Sequence, residues 1–373
     1  MKKIFFILSI IGILGSCSKD LDSNFSIEGN VKGMRKGIVY LQQDIDGQLV
    51  TVDSLFLKGT DFFEFEGNIE SPEVFYLSTS RRNSSTLPIF VEKNKILIDA
   101  DVKDLLGADI KGSENQELLD KFNKIIGRFN SYKNELYVKG LQASNKKHLK
   151  TFKSLSSQYE KNEVKKLRYI LNFAVTNGSK DIAPYVALNY LSSSDITVLD
   201  TINNSMTPEI KNGKYGQELN ELVTQIKATT VGNKFPEITQ NDTTGTGIKL
   251  ENKNGLMLVK FWTSSAENSR MSNSMAKNIS EKYSEDQIKI ISVSLDTNKD
   301  MWIEAVKEDK LPWLQVSDLK GYKNEAARKL AIRVIPESVL VDQNGIIIGR
   351  NMMQDEVIAK VDDFVENNAA TDN

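Results

Sequence analysis

From Phe25 to about Gly112, apolar and polar residues alternate with a period of two. Phe25-Ser26-Ile27-Glu28-Gly29, Leu49-Val50-Thr51-Val52-Asp53 and Phe63-Glu64-Phe65-Glu66 each place apolar side chains on one face of an extended strand. Compact apolar runs at Gly37 to Leu41, Val74 to Leu77, Leu87 to Val91 and Ile96 to Ile98 complete the set. This spacing predicts an antiparallel β-rich sandwich or open barrel over residues 25–112.

At Ser113 the period lengthens to between three and four. Leu118, Phe122, Ile125, Ile126, Phe129, Tyr132 and Leu136 form one helical stripe, and Phe152, Leu155, Tyr159, Leu167, Ile170, Leu171 and Ala174 form a second. Shorter helical segments are expected around Tyr185 to Leu191, Ile196 to Ile202 and Leu219 to Ile226. Ser113-Glu114-Asn115-Gln116 reads as a capping box at the first helix start. The helical segment is therefore 113–230. Such stripes signify packed cores rather than cofactor pockets.

From Val231 the element order becomes βαβαββα. Leu256 to Trp262 and Ile288 to Val293 read as buried strands, and Ser269 to Tyr283, Lys299 to Lys307 and Asn324 to Ala331 as helices. Ser338 to Val341 and Ile346 to Ile348 form a hairpin around Asn344-Gly345, and Gln354 to Asn367 is a closing helix. A mixed sheet flanked by helices is predicted for 231–367, with a disordered tail at 368–373.

The first 24 residues follow none of these patterns. Met1-Lys2-Lys3 is basic, and Ile4 to Leu14 is apolar but too short for an ordinary span, as in a cleavable export signal. Leu14-Gly15-Ser16-Cys17 resembles the lipobox of bacterial lipoproteins. That resemblance implies a signal peptide at 1–16, lipidation of Cys17 and a lipid-anchored tether at 17–24. Ser18 directly after Cys17 leaves out an acidic retention signal. The expected location is then the cell envelope, at the outer membrane.

Charge excludes one class of partner. The chain has 48 Lys and Arg against 50 Asp and Glu. Loss of Lys2 and Lys3 leaves 46 against 50, a net charge of −4. No basic field for nucleic acid is expected. His148, the single histidine, lies among Asn145, Lys146 and Lys147 and reads as a solvated surface residue. Without clustered ligands it predicts neither a metal site nor a triad. No cofactor is expected.

Two segments resemble known families. Asp53-Ser54, the aromatic strand Phe62 to Phe65 and the closing Lys111-Gly112-Ser113 resemble the domain of unknown function that precedes thioredoxin-like domains in many envelope lipoproteins. Val231-Gly232-Asn233-Lys234-Phe235-Pro236, Leu258 to Ser264, Ser292 to Asp296, Leu311-Pro312-Trp313, Val334 to Ser338 and Asp342 to Gly345 resemble, in order, the envelope thioredoxin-like thiol-disulfide oxidoreductases of the alkyl hydroperoxide reductase superfamily. The implied fold class is a multidomain α+β chain, with an N-terminal antiparallel β-rich domain, a helical middle and a C-terminal α/β thioredoxin-like domain.

The departures from that family decide the chemistry. The family's C-x-x-C follows the Phe-Trp strand at a helix start, where the dipole favours a thiolate. Here the aligned residues are Ala266, Glu267, Asn268 and Ser269, and the one cysteine of the sequence is Cys17. Ala266 has no nucleophilic atom, and Ser269 is a hydroxyl without a base. Asn268 and Ser269 read as a helix cap. Lys260 stands where the family commonly has an acidic proton acceptor, and is expected to snorkel at the sheet edge. The resemblance further implies a cis Ile335-Pro336 bond beside a peptide groove rimmed by Trp262 and Trp313. The expected activity is binding of extended peptides or envelope proteins without redox catalysis. Two alternatives are an oxidoreductase whose partner supplies the cysteines, and an envelope scaffold acting through the β-rich domain.

Overall fold

A computed structural model describes residues 23–45, 47–80, 86–251 and 255–371. The chain divides into two compact units, 1–117 and 118–373. Cys17, the signal peptide and most of the tether lie outside the described residues.

In the first unit the period-two segments form eight strands. They are β1 (Phe25–Lys32), β2 (Lys36–Ile45), β3 (Gln48–Lys58), β4 (Phe62–Gly67), β5 (Glu73–Ser78), β6 (Thr86–Val91), β7 (Lys95–Asp101) and β8 (Asp104–Lys111). Their orders are β4-β1-β7-β8 and β3-β2-β5-β6. Phe25, Ile27, Val31, Phe63, Phe65, Ile96 and Ile98 from one sheet share a core with Val39, Leu41, Leu57, Phe75, Leu77 and Ile89 from the other. The result is a sandwich. The expectation of an antiparallel domain is corrected at one place: β1 pairs with β7 in parallel, from Ser26↔Lys95 to Lys32↔Asp101. Alternation records which face is buried but not the direction of the neighbouring strand, so sequence could not show this. Gly29 makes the close approach possible, because a Cβ there would lie 2.2 Å from the Ile98 carbonyl oxygen.

The helix start at Ser113 is half of the expected capping box. Ser113 Oγ accepts from the Gln116 amide at 3.0 Å. The Gln116 side chain does not reach back. Its Oε1 accepts from the Phe90 amide of β6 at 2.7 Å, joining helix start to sheet. Glu92 Oε1 accepts from Ser113 Oγ and the Asn115 amide, both at 2.8 Å.

Helix α1 (Glu114–Asn145) turns back at His148, which is exposed, into α2 (Leu149–Thr176). Next come α3 (Ile182–Tyr190), α4 (Ile196–Ser205), α5 (Pro208–Asn212) and α6 (Lys214–Ala228). Phe122 is fully buried, its ring centroid 4.9 Å from those of Phe173 and Tyr190, which binds α1, α2 and α3 together. The predicted stripes are only partly buried. Tyr132, Phe152 and Leu167 remain exposed, and the buried positions of α2 are Asn162, Ile170 and Ala174.

The remaining elements are β9 (Thr239–Asn241), β10 (Gly247–Lys249), β11 (Leu256–Trp262), α7 (Glu267–Met271), α8 (Asn273–Lys282), β12 (Ile288–Ser294), α9 (Lys299–Glu308), β13 (Leu314–Val316), a 3-10 turn at Gly321–Lys323, α10 (Glu325–Lys329), β14 (Glu337–Val341), β15 (Ile347–Arg350) and α11 (Gln354–Thr371). The central sheet runs β13-β12-β11-β14-β15, with β11, β12 and β13 parallel, β14 antiparallel to β11 and β15 antiparallel to β14. Leu256, Leu258 and Ile290 pack with Ala276, Ile279, Val357 and Val361 of α8 and α11. Met257, Val259, Phe261 and Val293 pack on the opposite face with α10.

Three differences from expectation concern lengths. The predicted helix 269–283 is two helices broken at Ser272, the three-residue strands β9, β10 and β13 are too short to show a period, and α11 carries helical backbone through Thr371, into the segment predicted as tail. The helical segment and the α/β segment also belong to one compact unit. Arg350 joins them: it donates to the Thr229 carbonyl at 3.2 Å and to the Leu330 carbonyl at 2.8 Å, and pairs with Glu337. Burial pushes the Glu337 carboxyl above its ordinary range, against the opposing pull of Arg350.

Candidate functional site

Every residue of β11 is buried, as expected for the central strand of a sheet covered on both faces. The chain leaves its C-terminal end at Thr263 and enters α7 with Ala266 as N-cap, which supplies no side-chain cap. The turn is held by a carboxylate instead. Asp296, buried just beyond β12, accepts from Thr263 Oγ1 at 2.7 Å, Ser264 Oγ at 2.8 Å, the Ser264 amide at 3.0 Å and Ser294 Oγ at 2.6 Å. A buried carboxylate needs such donors, and this one consumes three hydroxyls and a backbone amide.

Ser269 is fully buried, and its Oγ accepts from the Thr263 amide at 2.9 Å. Asn268 and Glu267 are exposed. The reading of Asn268 and Ser269 as a helix cap is therefore corrected: Ser269 lies inside the first turn of α7 and bonds backward to the loop. Arg270 fixes the helix from outside, donating through Nε to Asp309 at 3.0 Å and through Nη2 to Glu308 at 2.9 Å. Those hydrogen bonds push its guanidinium further into the charged form.

Lys260 does not snorkel at an edge. It lies on the central strand, 3% exposed, and its Nζ donates to the Ser272 carbonyl at 2.6 Å and to Asn273 Oδ1 at 3.3 Å. It thereby caps the break between α7 and α8 from within the core. Burial pushes its ammonium down to about 8. Register aligns it with Ser338 on one side and Ser292 on the other, and Ser292 with Gln315. The result is a polar row across the sheet. Ser292 Oγ accepts from Trp313 Nε1 at 2.8 Å, whereas the side-chain amide of Gln315 has no hydrogen-bond partner among the described residues.

Trp262 was expected on a groove rim and is instead fully buried, packed with Trp302, Ala305 and Leu311. Trp313 is half-buried against the same cluster. Ile335-Pro336 is cis. Ile335 is half-buried and Pro336 exposed, while neighbouring Val334 is 53% exposed. The pairing of Phe261 with Glu337 brings the 263–266 turn alongside 334–336. The amides of Arg333, Val334 and Ile335 donate to no other group among the described residues. Sequence reasoning missed the role of Asp296, which holds Thr263 and Ser264 from another segment, and the Lys260 contact with Ser272. No cluster of His, Cys, Asp and Glu suited to a metal exists among the described residues.

The buried ammonium predicts a pH signature. Lys260 is protonated in both states below about pH 8 and only in the unfolded state between there and its ordinary value of 10.5. Its contribution to stability therefore rises with pH across that interval, by about 3 kcal/mol in all. Denaturant melts of wild type and Lys260→Met should show the variant losing about that much relative to wild type between pH 7 and pH 10.5. A difference independent of pH would contradict the burial of a charged amine.

Comparison with known proteins agrees with this architecture. Residues 25–119 match the family described as a domain of unknown function (DUF4369), and residues 254–347 match the family described as thioredoxin-like. No curated protein matches. Among solved structures, the C-terminal domain of a protein designated a thiol-disulfide oxidoreductase from Bacteroides thetaiotaomicron is 29% identical, with 38% of this chain and 99% of that domain covered and a TM-score of 0.36. The thioredoxin domain of a thiol-disulfide oxidoreductase from Bacteroides vulgatus is 27% identical, covering 36% of this chain and 98% of that one, with a TM-score of 0.34. Another, from Bacteroides fragilis, is 24% identical over 35% of this chain and 98% of its own, also with a TM-score of 0.34. The chain thus joins an N-terminal DUF4369 domain to a C-terminal thioredoxin-like domain, with one cysteine in the whole sequence and no C-x-x-C pair.

Proposed function

We propose that this chain is an envelope lipoprotein whose thioredoxin-like domain binds extended peptides and carries out no thiol exchange. One observation carries the reading. At the helix start within the thioredoxin-like match stand Ala266 and Ser269, and the Ser269 hydroxyl is buried and occupied with the Thr263 amide. Thiol exchange begins with an exposed thiolate attacking a disulfide sulfur, and neither position supplies an atom that can do so. Peroxide reduction by a cysteine is closed for the same reason.

The surface beside that turn supports binding. The unengaged amides of Arg333, Val334 and Ile335 offer donors for main-chain pairing with an extended peptide. Val334, 53% exposed, presents apolar area among them. Trp262 takes no direct part, because it is buried; its role is to support the turn from below. Trp313 likewise acts through packing and its bond to Ser292. Lipidation at Cys17 would hold the chain at the outer membrane, with envelope proteins as the source of peptides.

Two measurements test these readings separately. Peptides selected from a displayed library against the mature chain should bind Val334→Asp about tenfold more weakly than wild type, with thermal stability unchanged, as for other exposed contact residues. Failure to select any peptide, or equal binding by the variant, would remove the groove from the account. Expressed from Met1 in a bacterium with lipoprotein processing, wild type should take up labelled fatty acid and Cys17→Ser should not. Equal labelling of both would refute the lipid anchor.

A further inference from the structure

The net charge of the whole chain conceals a strong local excess. Between Lys121 and Arg168 the α1–α2 hairpin has 13 Lys and Arg and three acidic residues, Glu135, Glu160 and Glu163. At its tip, residues 137–153 contain five lysines, His148 and no carboxylate. Lys139 pairs with Glu135, but Lys146, Lys147, Lys150 and Lys153 have no ion-pair partner among the described residues.

The same tip exposes apolar area. Tyr137 is 59% exposed, Val138 51%, Leu141 48%, Leu149 63% and Phe152 39%. On α1, positions 137, 138 and 141 share one face, as do 149 and 152 on α2. Five large apolar side chains on two adjoining helix ends are more than a scatter of surface residues. Nearer the base, a cleft of about 450 Å³ is lined by Ile125, Phe129 and Tyr132 together with Arg128, Lys161 and Lys165, and by no acidic residue.

We propose that the tip of the α1–α2 hairpin docks on an anionic phospholipid surface. The pattern of apolar and aromatic side chains interleaved with lysines is that of a segment lying in a membrane interface, where the rings and aliphatic chains enter the headgroup boundary and the ammonium groups meet phosphates. No helix of the described residues is long and apolar enough to cross a membrane, so the tip lies on the surface. An acidic protein would satisfy the lysines but leaves the five exposed apolar side chains among them unexplained. Through a helix of 32 residues, roughly 48 Å long, the contact would hold the unit at a second point besides any N-terminal anchor.

Vesicle sedimentation tests this directly, using the chain from Ser18 onward, which retains every described residue and needs no lipid at Cys17. It should sediment with phosphatidylglycerol-containing vesicles and not with pure phosphatidylcholine, and raised salt should release it. Replacing Lys146, Lys147, Lys150 and Lys153 with Glu should reduce partitioning at least about tenfold. Leu141→Ser with Leu149→Ser should also reduce it, while leaving salt dependence in place. All six residues are exposed, so unchanged far-UV circular dichroism shows that the variants fold. Equal binding to both vesicle types, unchanged binding by either variant, or binding to soluble polyglutamate without binding to vesicles would overturn the proposal.

Discussion

The α/β segment is organised by the burial of its central strand. All seven residues of β11 are enclosed, so whatever stands there must be accommodated in the interior. Six positions are apolar and pack on both faces. The seventh, Lys260, brings an ammonium into the core, where the carbonyl at Ser272 and the side chain of Asn273 receive it. That contact falls where α7 gives way to α8. Where β11 ends, the turn must leave the sheet, and Asp296 holds it there through Thr263 and Ser264. A buried lysine thus stands on the strand where the resemblance implied an acidic acceptor, and the turn beyond it is held by Asp296.

Much of this was legible because burial leaves a periodic trace. Strands β1 and β4 alternate, and β11 and β12 are apolar runs, so their existence and facing could be read from sequence, whereas the alternation at Leu49 to Asp53 in β3 leaves Val50 and Val52 exposed. Strand direction left no such trace, which is why the parallel β1–β7 pair was missed. Trp262 and Lys260 failed for a shared reason: position along a strand does not tell whether a sheet neighbour or helix covers its end. Trp302 and Leu311 cover Trp262, and α8 covers Lys260. Gln116 shows the same limit for capping, since its side-chain oxygen accepts from β6 rather than closing the box. Asp296 holds the turn through Thr263 and Ser264, more than 30 positions away, and only its bond to Ser294 is local.

Charge shows a similar contrast between whole and part. A chain that is slightly acidic overall concentrates lysines on the hairpin tip and exposes apolar residues among them. The predicted stripe on α2 begins at Phe152, yet that residue faces solvent while Ile170 and Ala174 near the other end are buried. A helix that continues its apolar pattern beyond its packing partners presents a surface. Peptide recognition beside Val334 and surface contact at the tip use different parts of the unit, and each can fail without the other.

The most direct test of thiol-free function is insulin reduction by the purified mature chain, alongside a variant carrying Ala266→Cys and Ser269→Cys. Wild type should match buffer, and the variant should form a reversible disulfide across the first turn of α7 and acquire reductase activity. Activity in wild type free of partners would contradict the account. So would failure of the cysteine pair to oxidise, because Ala266 and Ser269 would then not occupy the positions of a C-x-x-C pair.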